Sequence, residues 1–309
     1  MDTCTDDRRA LQVYNMFSVS SDAQPPQMDT VPLYDAHNHL QDDRLLAALP
    51  STSLVFSQEN IRAMVVNGSS EEDWSAVEDL AGRHPQIIPS FGYHPWYIKK
   101  RSPGWQKALT SFLDRLPSAV GEVGLDRWME DHDLEDQEQV FVWQLRLAAE
   151  RNLPVSIHCL QAWGKMFDLL RSEPRPQCGF VLHSFGGPRE MIQPLADLGA
   201  YFSLPGYFAN ERKARQREAF RHVPLNRLLI ETDAPDQPLP QQRVKYPLVD
   251  PKTGKPLNHP GNLRAIYDFA AELLIVPVDR LAQQIENNFQ TLFGAFCRNQ
   301  KDLRRNADF

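Results

Sequence analysis

The chain has 309 residues, of which 42% are hydrophobic and 24% are charged, and 33 Lys and Arg residues against 40 Asp and Glu residues give a formal charge of −7. These values indicate a globular protein and exclude a disordered, fibrous or membrane-embedded chain. The net acidity argues against a broad electrostatic surface for nucleic acid, so a polyanion would have to be attracted locally.

The cysteines, the start of the chain and the apolar runs predict the cellular compartment of the protein. The four cysteines, Cys4, Cys159, Cys178 and Cys297, form no CxxC pair, which favours a reducing cytoplasmic environment. The mixed-charge start of the chain argues against a secretory signal, and no run approaches about 18 apolar residues. The sequence therefore predicts no membrane partner, and it gives no reason to infer an obligate protein partner.

Residues 1–30 lack clear periodicity and end in the polar stretch SSDAQPPQMDT, which predicts an N-terminal tail. Residues 31–298 are expected to form a single domain, and residues 299–309 a polar C-terminal tail. In this domain, short apolar runs rich in β-branched residues alternate with longer segments of helical period. The eight predicted strands are Leu33 to His39, Ala63 to Ser69, Ile87 to His94, Ala119 to Asp126, Pro154 to Cys159, Phe180 to Phe185, Tyr201 to Gly206 and Leu228 to Ala234.

Strands that alternate with helices imply parallel neighbours joined by right-handed crossovers. Eight such units at a spacing of about 28 residues fit an α/β fold of the (β/α)8 TIM-like barrel type better than an open sheet. Ser70 is expected to cap the helix after the second strand. The Pro-rich segment Gln237 to Gly261 has little periodicity, which predicts a functional loop.

Residues that bind metals fall at the ends of the predicted strands. They are His37, His39, Glu122, His158, His183 and Asp233. Residues two apart in a strand point the same way, so His37 and His39 can both face the mouth of the barrel. A barrel of this type builds its site at the carboxyl ends of its strands, which is where all six fall. Their joint placement predicts a metal site, because burying such groups without an ion is costly.

Several motifs resemble a known family. The segments DAHNH, GEVGLD, PVSIHC, FVLHSFGG and LLIETDAP resemble, in order and over about residues 33 to 236, the TatD-like metal-dependent deoxyribonucleases of the amidohydrolase superfamily. NHPGNL and ENNFQTLF extend the similarity towards the C-terminus. Two features depart from the family pattern: Ser184 stands where Cys is frequent, and the segment Pro238 to Pro256 is longer than the usual loop. Both bear on the substrate, and Ser184 is a candidate substrate contact.

The resemblance implies two divalent ions, Zn, Mn or Mg, in a TIM-like barrel. His37, His39, Glu122 and Asp233 would surround one ion, and Glu122, His158 and His183 the other, so that Glu122 bridges them. The implied activity is 3′ to 5′ exonucleolytic cleavage of single-stranded DNA by a water that the two metals activate. Asp233, as a ligand beside that water, is the predicted general base.

Other polar and aromatic residues near the strand ends are candidates for binding the substrate. His94 could contact a phosphate, and Trp96 and Tyr97 could stack on a base, although packing roles are typical of such residues as well. Asp126 is expected to buttress a metal ligand from behind.

Two other functions stay open at this point. The first is a small-molecule hydrolase on the same barrel, acting on amides, lactones or phosphotriesters. The predicted strands contain no Lys that could bridge two ions after carboxylation, which disfavours one large group of such enzymes. The second is a metal-stabilised binding protein, although structural zinc sites are normally closed and tetrahedral.

Overall fold

A computed structural model describes residues 31–48, 59–131 and 133–297. The tails expected at residues 1–30 and 299–309 lie outside these ranges. Eight parallel strands form one sheet in sequential order, and an α-helix follows each of them, as in the predicted (β/α)8 barrel. No helix in the described part of the chain is both long and apolar enough to cross a membrane.

The strands are short, and all eight contribute buried residues. They are β1 (Leu33–Asn38), β2 (Ile61–Asn67), β3 (Ile87–Phe91), β4 (Ala119–Asp126), β5 (Val155–Leu160), β6 (Phe180–Leu182), β7 (Ala200–Pro205) and β8 (Leu228–Glu231). All eight of the predicted strands are present, and their ends differ by up to three residues. Three strands end three residues earlier than predicted, so His94, His183 and Asp233 lie in the loops after β3, β6 and β8.

The helices on the outside cover the sheet with apolar faces. They are α1 (Asp43–Ala48), α2 (Trp74–Arg83), α3 (Trp105–Arg115), α4 (Leu134–Arg151), α5 (Trp163–Ser172), α6 (Ile192–Asp197), α7 (Ala214–Phe220), α8 (Leu263–Leu274) and α9 (Val278–Phe293). The prediction that Ser70 caps α2 is wrong, because Asp73 occupies the N-cap position. The carboxylate of Asp73 instead accepts hydrogen bonds from the backbone N–H groups of Ser69 and Ser70, which forms a turn before the helix.

The first and last strands meet at their carboxyl ends. The backbone N–H of Asp233 donates to the carbonyl of His37 at 2.9 Å, and the N–H of His39 donates to the carbonyl of Ala234 at 2.8 Å. These bonds bring the segment after β8 beside β1, so the barrel is nearly closed. The same hydrogen bonds bring three predicted metal ligands next to one another, namely His37, His39 and Asp233.

The interior of the barrel changes from apolar to polar along its axis. At the amino ends of the strands, Tyr34 packs on Phe289 of α9, and Phe293 joins the same cluster. Asn288 of α9 donates to the carbonyl of Leu228, which fixes the helix under β8. Above this apolar floor lie the buried polar residues Asn67, Ser90, Ser156, Ser203 and Glu231. The predicted metal ligands lie next to this polar layer.

The Pro-rich segment after β8 contains a small antiparallel hairpin of β9 (Leu248–Val249) and β10 (Pro256–Leu257). The side-chain oxygen of Asn262 accepts hydrogen bonds from the backbone N–H groups of Lys245 and Tyr246. The side chain of Lys245 also forms an ion pair with Glu59 at 2.7 Å. The segment is thus tied to the barrel, and a functional role for it stays a prediction.

Candidate metal centre

The two histidines of the first strand converge on one point. The Nε2 atoms of His37 and His39 lie 3.3 Å apart. The other ring nitrogen of His37 lies 2.7 Å from the hydroxyl of Ser156, and that of His39 lies 2.8 Å from the carbonyl of Asn67. Hydrogen bonds to one nitrogen orient an imidazole and direct the other nitrogen towards a ligand. Both Nε2 atoms therefore face the centre of the barrel mouth.

Glu122 of β4 occupies that centre, and its two oxygens face different groups of imidazoles. Its Oε2 lies 3.3 Å from Nε2 of His37 and 3.0 Å from Nε2 of His39. Its Oε1 lies within 3.3 Å of a ring nitrogen of three other residues, His94, His158 and His183. A single buried carboxylate thus separates two clusters of nitrogen donors.

Asp233 lies beside the first cluster, just beyond β8. Its Oδ1 is 3.6 Å from Nε2 of His37 and 3.7 Å from Nε2 of His39. Its Oδ2 accepts a hydrogen bond of 2.6 Å from the side-chain amide of Gln237. The same amide reaches the hydroxyl of Ser184 at 2.5 Å, so Gln237 links the loops after β6 and β8. Gln237 holds one oxygen of Asp233 and leaves the other facing the histidines.

His158 lies between two carboxylates. Its Nδ1 is 3.0 Å from Glu122, and its Nε2 is 3.0 Å from Oδ2 of Asp126 at the end of β4. Asp126 also accepts a 2.7 Å hydrogen bond from the indole N–H of Trp96. The side-chain amide of Gln137 bonds to both backbone groups of Asp126, which anchors the end of β4 on α4. Asp126 therefore contacts the ring nitrogen of His158 that points away from Glu122, and its role as a buttress stays a prediction.

His183 lies just after β6, near a carboxylate that the sequence did not single out. Glu231 is fully buried and accepts hydrogen bonds from the backbone N–H and the hydroxyl of Ser184 and from the hydroxyl of Ser203. Its Oε1 lies 3.7 Å from Nδ1 of His183, which has no hydrogen bond within the described residues. The sequence could have pointed to Glu231, because it lies two residues before Asp233 in the predicted eighth strand. Residues two apart in a strand point to the same side.

The charges at this centre shift the pKa values strongly. Burial raises the pKa of Glu122, but the imidazoles of His94 and His183 outweigh burial and hold it well below its usual range. Burial opposes protonation of His39, but the hydrogen bond to Glu122 raises its pKa to about 9. For His37, burial and repulsion from His183 lower the pKa to about 4. Five imidazoles around one carboxylate therefore cannot all be charged.

The carboxyl group of Asp233 behaves differently from that of Glu122. Burial is the largest effect and raises its pKa to about 7, although His183 and His39 act in the opposite direction. A divalent cation beside this group would favour its ionised form, since an ion is the largest local charge in such a site. Asp233 is thus a buried carboxyl group whose charge state depends on its neighbours.

The donor set fits divalent cations. Three groups of side chains offer ligand atoms that lie within 4.8 Å of one another: His37 with His39 and Glu122; His37 with His183 and Asp233; and His94 with Glu122 and His158. Ring nitrogens of His158 and His183 also lie 3.2 Å apart. Such close contacts need a shared proton or a cation between them, because two lone pairs repel. Imidazole and carboxylate donors suit Zn²⁺ and Mn²⁺ in particular.

The four residues predicted to bind substrate differ in burial and in the groups that they contact. His94 is buried against Glu122, and its own burial lowers its pKa to about 4. Trp96 is 48% exposed, whereas Tyr97 packs against the apolar core. Ser184 donates its hydroxyl to Glu231. The structure thus brings the six predicted ligands together with His94, and it leaves Trp96 as the candidate with an open aromatic surface.

Comparison with known proteins identifies the family. The sequence model of the TatD related DNase family matches residues 34–294. The chain is 30% identical over 241 residues to the uncharacterized metal-dependent hydrolase YjjV of Escherichia coli K12, covering 77% of this chain and 88% of the relative. It is 32% identical over 240 residues to the 3′-5′ ssDNA/RNA exonuclease TatD of the same strain, covering 76% and 88%.

Solved structures agree with these sequence matches. The crystal structure of YjjV superposes with a TM-score of 0.75 at 29% identity, over 86% of this chain and 99% of that one. A TatD family hydrolase from Entamoeba histolytica superposes with a TM-score of 0.73 at 17% identity, over 84% and 97%, and supports the fold. The chain therefore belongs to the TatD related DNase family of metal-dependent hydrolases.

Proposed function

We propose that the chain hydrolyses phosphodiester bonds with the help of two divalent ions and removes nucleotides from the 3′ end of single-stranded DNA. His37, His39, Glu122 and Asp233 would hold one ion, and Glu122, His158 and His183 the other. The arrangement around Glu122 carries this proposal. Each of its oxygens faces its own cluster of imidazoles, which is the arrangement that a carboxylate shared by two ions requires.

The ions, when bound, would supply an activated water and neutralise charge on the oxygens of the phosphoryl group. The protein supplies the position of the groups around them. Gln237 donates to Oδ2 of Asp233, so the other oxygen points at the mouth between His37 and His39. From there Asp233 can accept the proton of the attacking water as the general base. Asp126 holds His158 in the ring orientation that turns Nδ1 towards Glu122.

The choice of substrate rests on the relatives. The exonuclease TatD of Escherichia coli, 32% identical to this chain, is named for 3′ to 5′ action on single-stranded DNA and RNA. Every predicted ligand is present in this chain, and the contacts of Ser184 with Glu231 and Gln237 keep its loop in place without a cysteine. The two departures of this chain from the family pattern therefore remove none of the proposed metal ligands.

A labelled oligonucleotide tests the proposal. Protein purified in metal-replete buffer is expected to hold about two divalent ions per chain by elemental analysis. With Mg²⁺, Mn²⁺ or Zn²⁺, a 5′-labelled single strand should shorten to a ladder, and a 3′-labelled strand should release labelled mononucleotide at once. Glu122→Gln should lose both activity and metal. His222→Ala, which removes a half-exposed histidine of the surface, is the matched control and should retain both.

Other outcomes would favour the competing functions. If both oligonucleotides survive all three metals while an amide, a lactone or a phosphotriester is turned over, the chain is a small-molecule hydrolase. If an oligonucleotide binds tightly but no substrate of either kind is cleaved, the ions serve a binding protein. Either result would replace the nuclease proposal.

A further inference from the structure

Two tryptophans at the rim of the metal centre are exposed to solvent, Trp96 by 48% and Trp128 by 65%. Both are anchored on Asp126. The indole N–H of Trp96 donates to its Oδ2 at 2.7 Å, and the backbone N–H of Trp128 donates to its Oδ1 at 2.8 Å. Since Asp126 also contacts His158, the two tryptophans belong to the part of the rim nearest the second group of imidazoles.

Exposed apolar side chains are concentrated at this part of the rim. Seven large hydrophobic residues are exposed in the described ranges, and three of them, Trp96, Trp128 and Leu160, lie here. The backbone N–H of Arg127 donates to the carbonyl of Leu160, which joins the loops after β4 and β5. A cluster of exposed apolar side chains beside a polar site is typical of a binding surface.

The residue between Asp126 and Trp128 supplies a positive charge. Arg127 is exposed, and its guanidinium forms no ion pair with any residue of the described ranges. Two basic residues of the segment after β3 differ in this respect, because Lys99 is paired with Asp131 at 2.8 Å and Arg101 is paired with Asp136. A cation without a carboxylate partner remains available for an anion of the substrate.

We propose that Arg127 and Trp128 form a nucleotide subsite next to the metal centre, with Trp96 as its second wall. One unpaired base of the substrate stacks on the indole of Trp128, and Arg127 contacts the phosphate of that nucleotide. This inference rests on the proposed function and specifies how the site prefers a single strand. A base inside a duplex has both of its faces covered, whereas a single strand can offer one to an aromatic side chain.

Oligonucleotides with and without bases test the stacking contact. Two single strands are compared, one natural and one with abasic residues at its last three positions. Trp128→Ala is expected to raise KM for the natural strand about tenfold, the range of one base stacked on one aromatic ring. The change for the abasic strand should stay below about twofold. Trp128→Phe should recover most of the loss because it restores a ring.

The arginine contact has a separate signature. Arg127→Ala should weaken the dependence of log KM on log salt by about 0.7, because one phosphate contact to a single strand is lost. Arg127→Lys should restore the dependence, since it restores the charge. Ile275→Ala removes an exposed apolar side chain at the end of α8 and is the control for both series, with no change expected.

The outcomes separate this inference from the proposed function. Cleavage of both strands with an equal effect of Trp128→Ala on each, or with no effect, would overturn the subsite and leave the nuclease in place. If the wild-type protein cleaves neither strand, the proposed function fails, and fluorescence anisotropy of the labelled, uncleaved strands decides. Binding that falls with Trp128→Ala for the natural strand alone supports the subsite, and any other binding result refutes it.

Discussion

Asp35 of β1 accepts two hydrogen bonds from Thr232, the residue that follows β8. The backbone N–H donates at 3.0 Å and the hydroxyl at 2.6 Å, and both residues are fully buried. The contact joins the first and last strands of the barrel. Asp35 lies two residues before His37 and Thr232 lies one residue before Asp233, so the pair that joins the two strands is next to a candidate metal ligand on each of them.

Removing the hydroxyl of Thr232 should weaken the contact between the first and last strands of the barrel. Thr232→Val keeps the shape of the side chain and removes the shorter of the two hydrogen bonds to Oδ2 of the buried Asp35, which then keeps only the 3.2 Å bond from the amide of Asn38. This loss costs about 1–3 kcal/mol in the free energy of unfolding. Denaturation in urea measures the change. Thr110→Val is the matched control, because the hydroxyl of Thr110 is exposed and bonds only to a carbonyl of its own helix. An equal loss of stability in both variants would contradict the role of the pair.

The carboxylate behind His158 should tune the affinity for metal. Asp126→Asn removes the charge that faces Nε2 of His158, so the ring loses a strong hydrogen bond and its fixed orientation. We expect metal affinity to fall about tenfold to a hundredfold in a titration against a fluorescent chelator. Trp96→Phe removes only the indole N–H bond to the same carboxylate and should change metal affinity by less than about threefold. Equal affinities of Asp126→Asn and the wild type would contradict this role of Asp126.

Removing the ions should lower the thermal stability. Each ion that binds only the folded chain stabilises it by about 2.7 kcal/mol at a concentration 100 times Kd, so two ions contribute about 5 kcal/mol, which corresponds to roughly 10 °C in Tm for a domain of this size. Calorimetry with and without a chelator measures the shift. His37→Ala, which removes a residue shared by two of the three candidate ligand groups, should show a much smaller shift. Identical melting of the wild type in both buffers would exclude ions bound at this centre.

The second glycine of the GEVGLD motif, Gly124, lies where any larger residue would clash with the neighbouring strand. Gly124 has φ of +152°, and a Cβ at this position would lie 1.9 Å from the carbonyl oxygen of His158 on the neighbouring strand. Gly124→Ala should therefore destabilise the fold by more than about 4 kcal/mol or prevent folding. Gly82→Ala is the control, because nothing lies within 4 Å of its Cβ, and it should stabilise α2 by about 0.5–1 kcal/mol. Near-native melting of Gly124→Ala would contradict the steric argument.

The strands could be predicted from the sequence because each is a short buried run with few polar residues. Their ends were harder to place. The third run continues as GYH beyond Phe91, but the chain leaves the sheet there, and the amide of Gln144 on α4 bonds to both backbone groups of Tyr93. Such long-range contacts leave no local pattern. The cap of α2 was missed for a related reason, since Asp73 holds the turn before the helix.

The candidate site could be predicted because its residues follow the strands at regular intervals. Alternation along β1 and the rule that barrel sites lie at carboxyl ends bring His37, Glu122 and Asp233 to one mouth. The residues that orient them were not predicted, because a buried Asn67 or Ser156 has no distinctive spacing. Which oxygen of Glu122 faces which histidine depends on side-chain geometry that no sequence pattern encodes.

The meeting of β1 with the segment after β8 has a consequence for the newborn protein. A ribosome delivers His37 and His39 before Thr232 and Asp233, and seven further strands are made between them. Until then the first strand lacks its partner on one side, and the mouth of the barrel lacks the candidate ligand Asp233. The nascent polypeptide should therefore lack a complete set of candidate ligands until the segment after the eighth strand docks on the first.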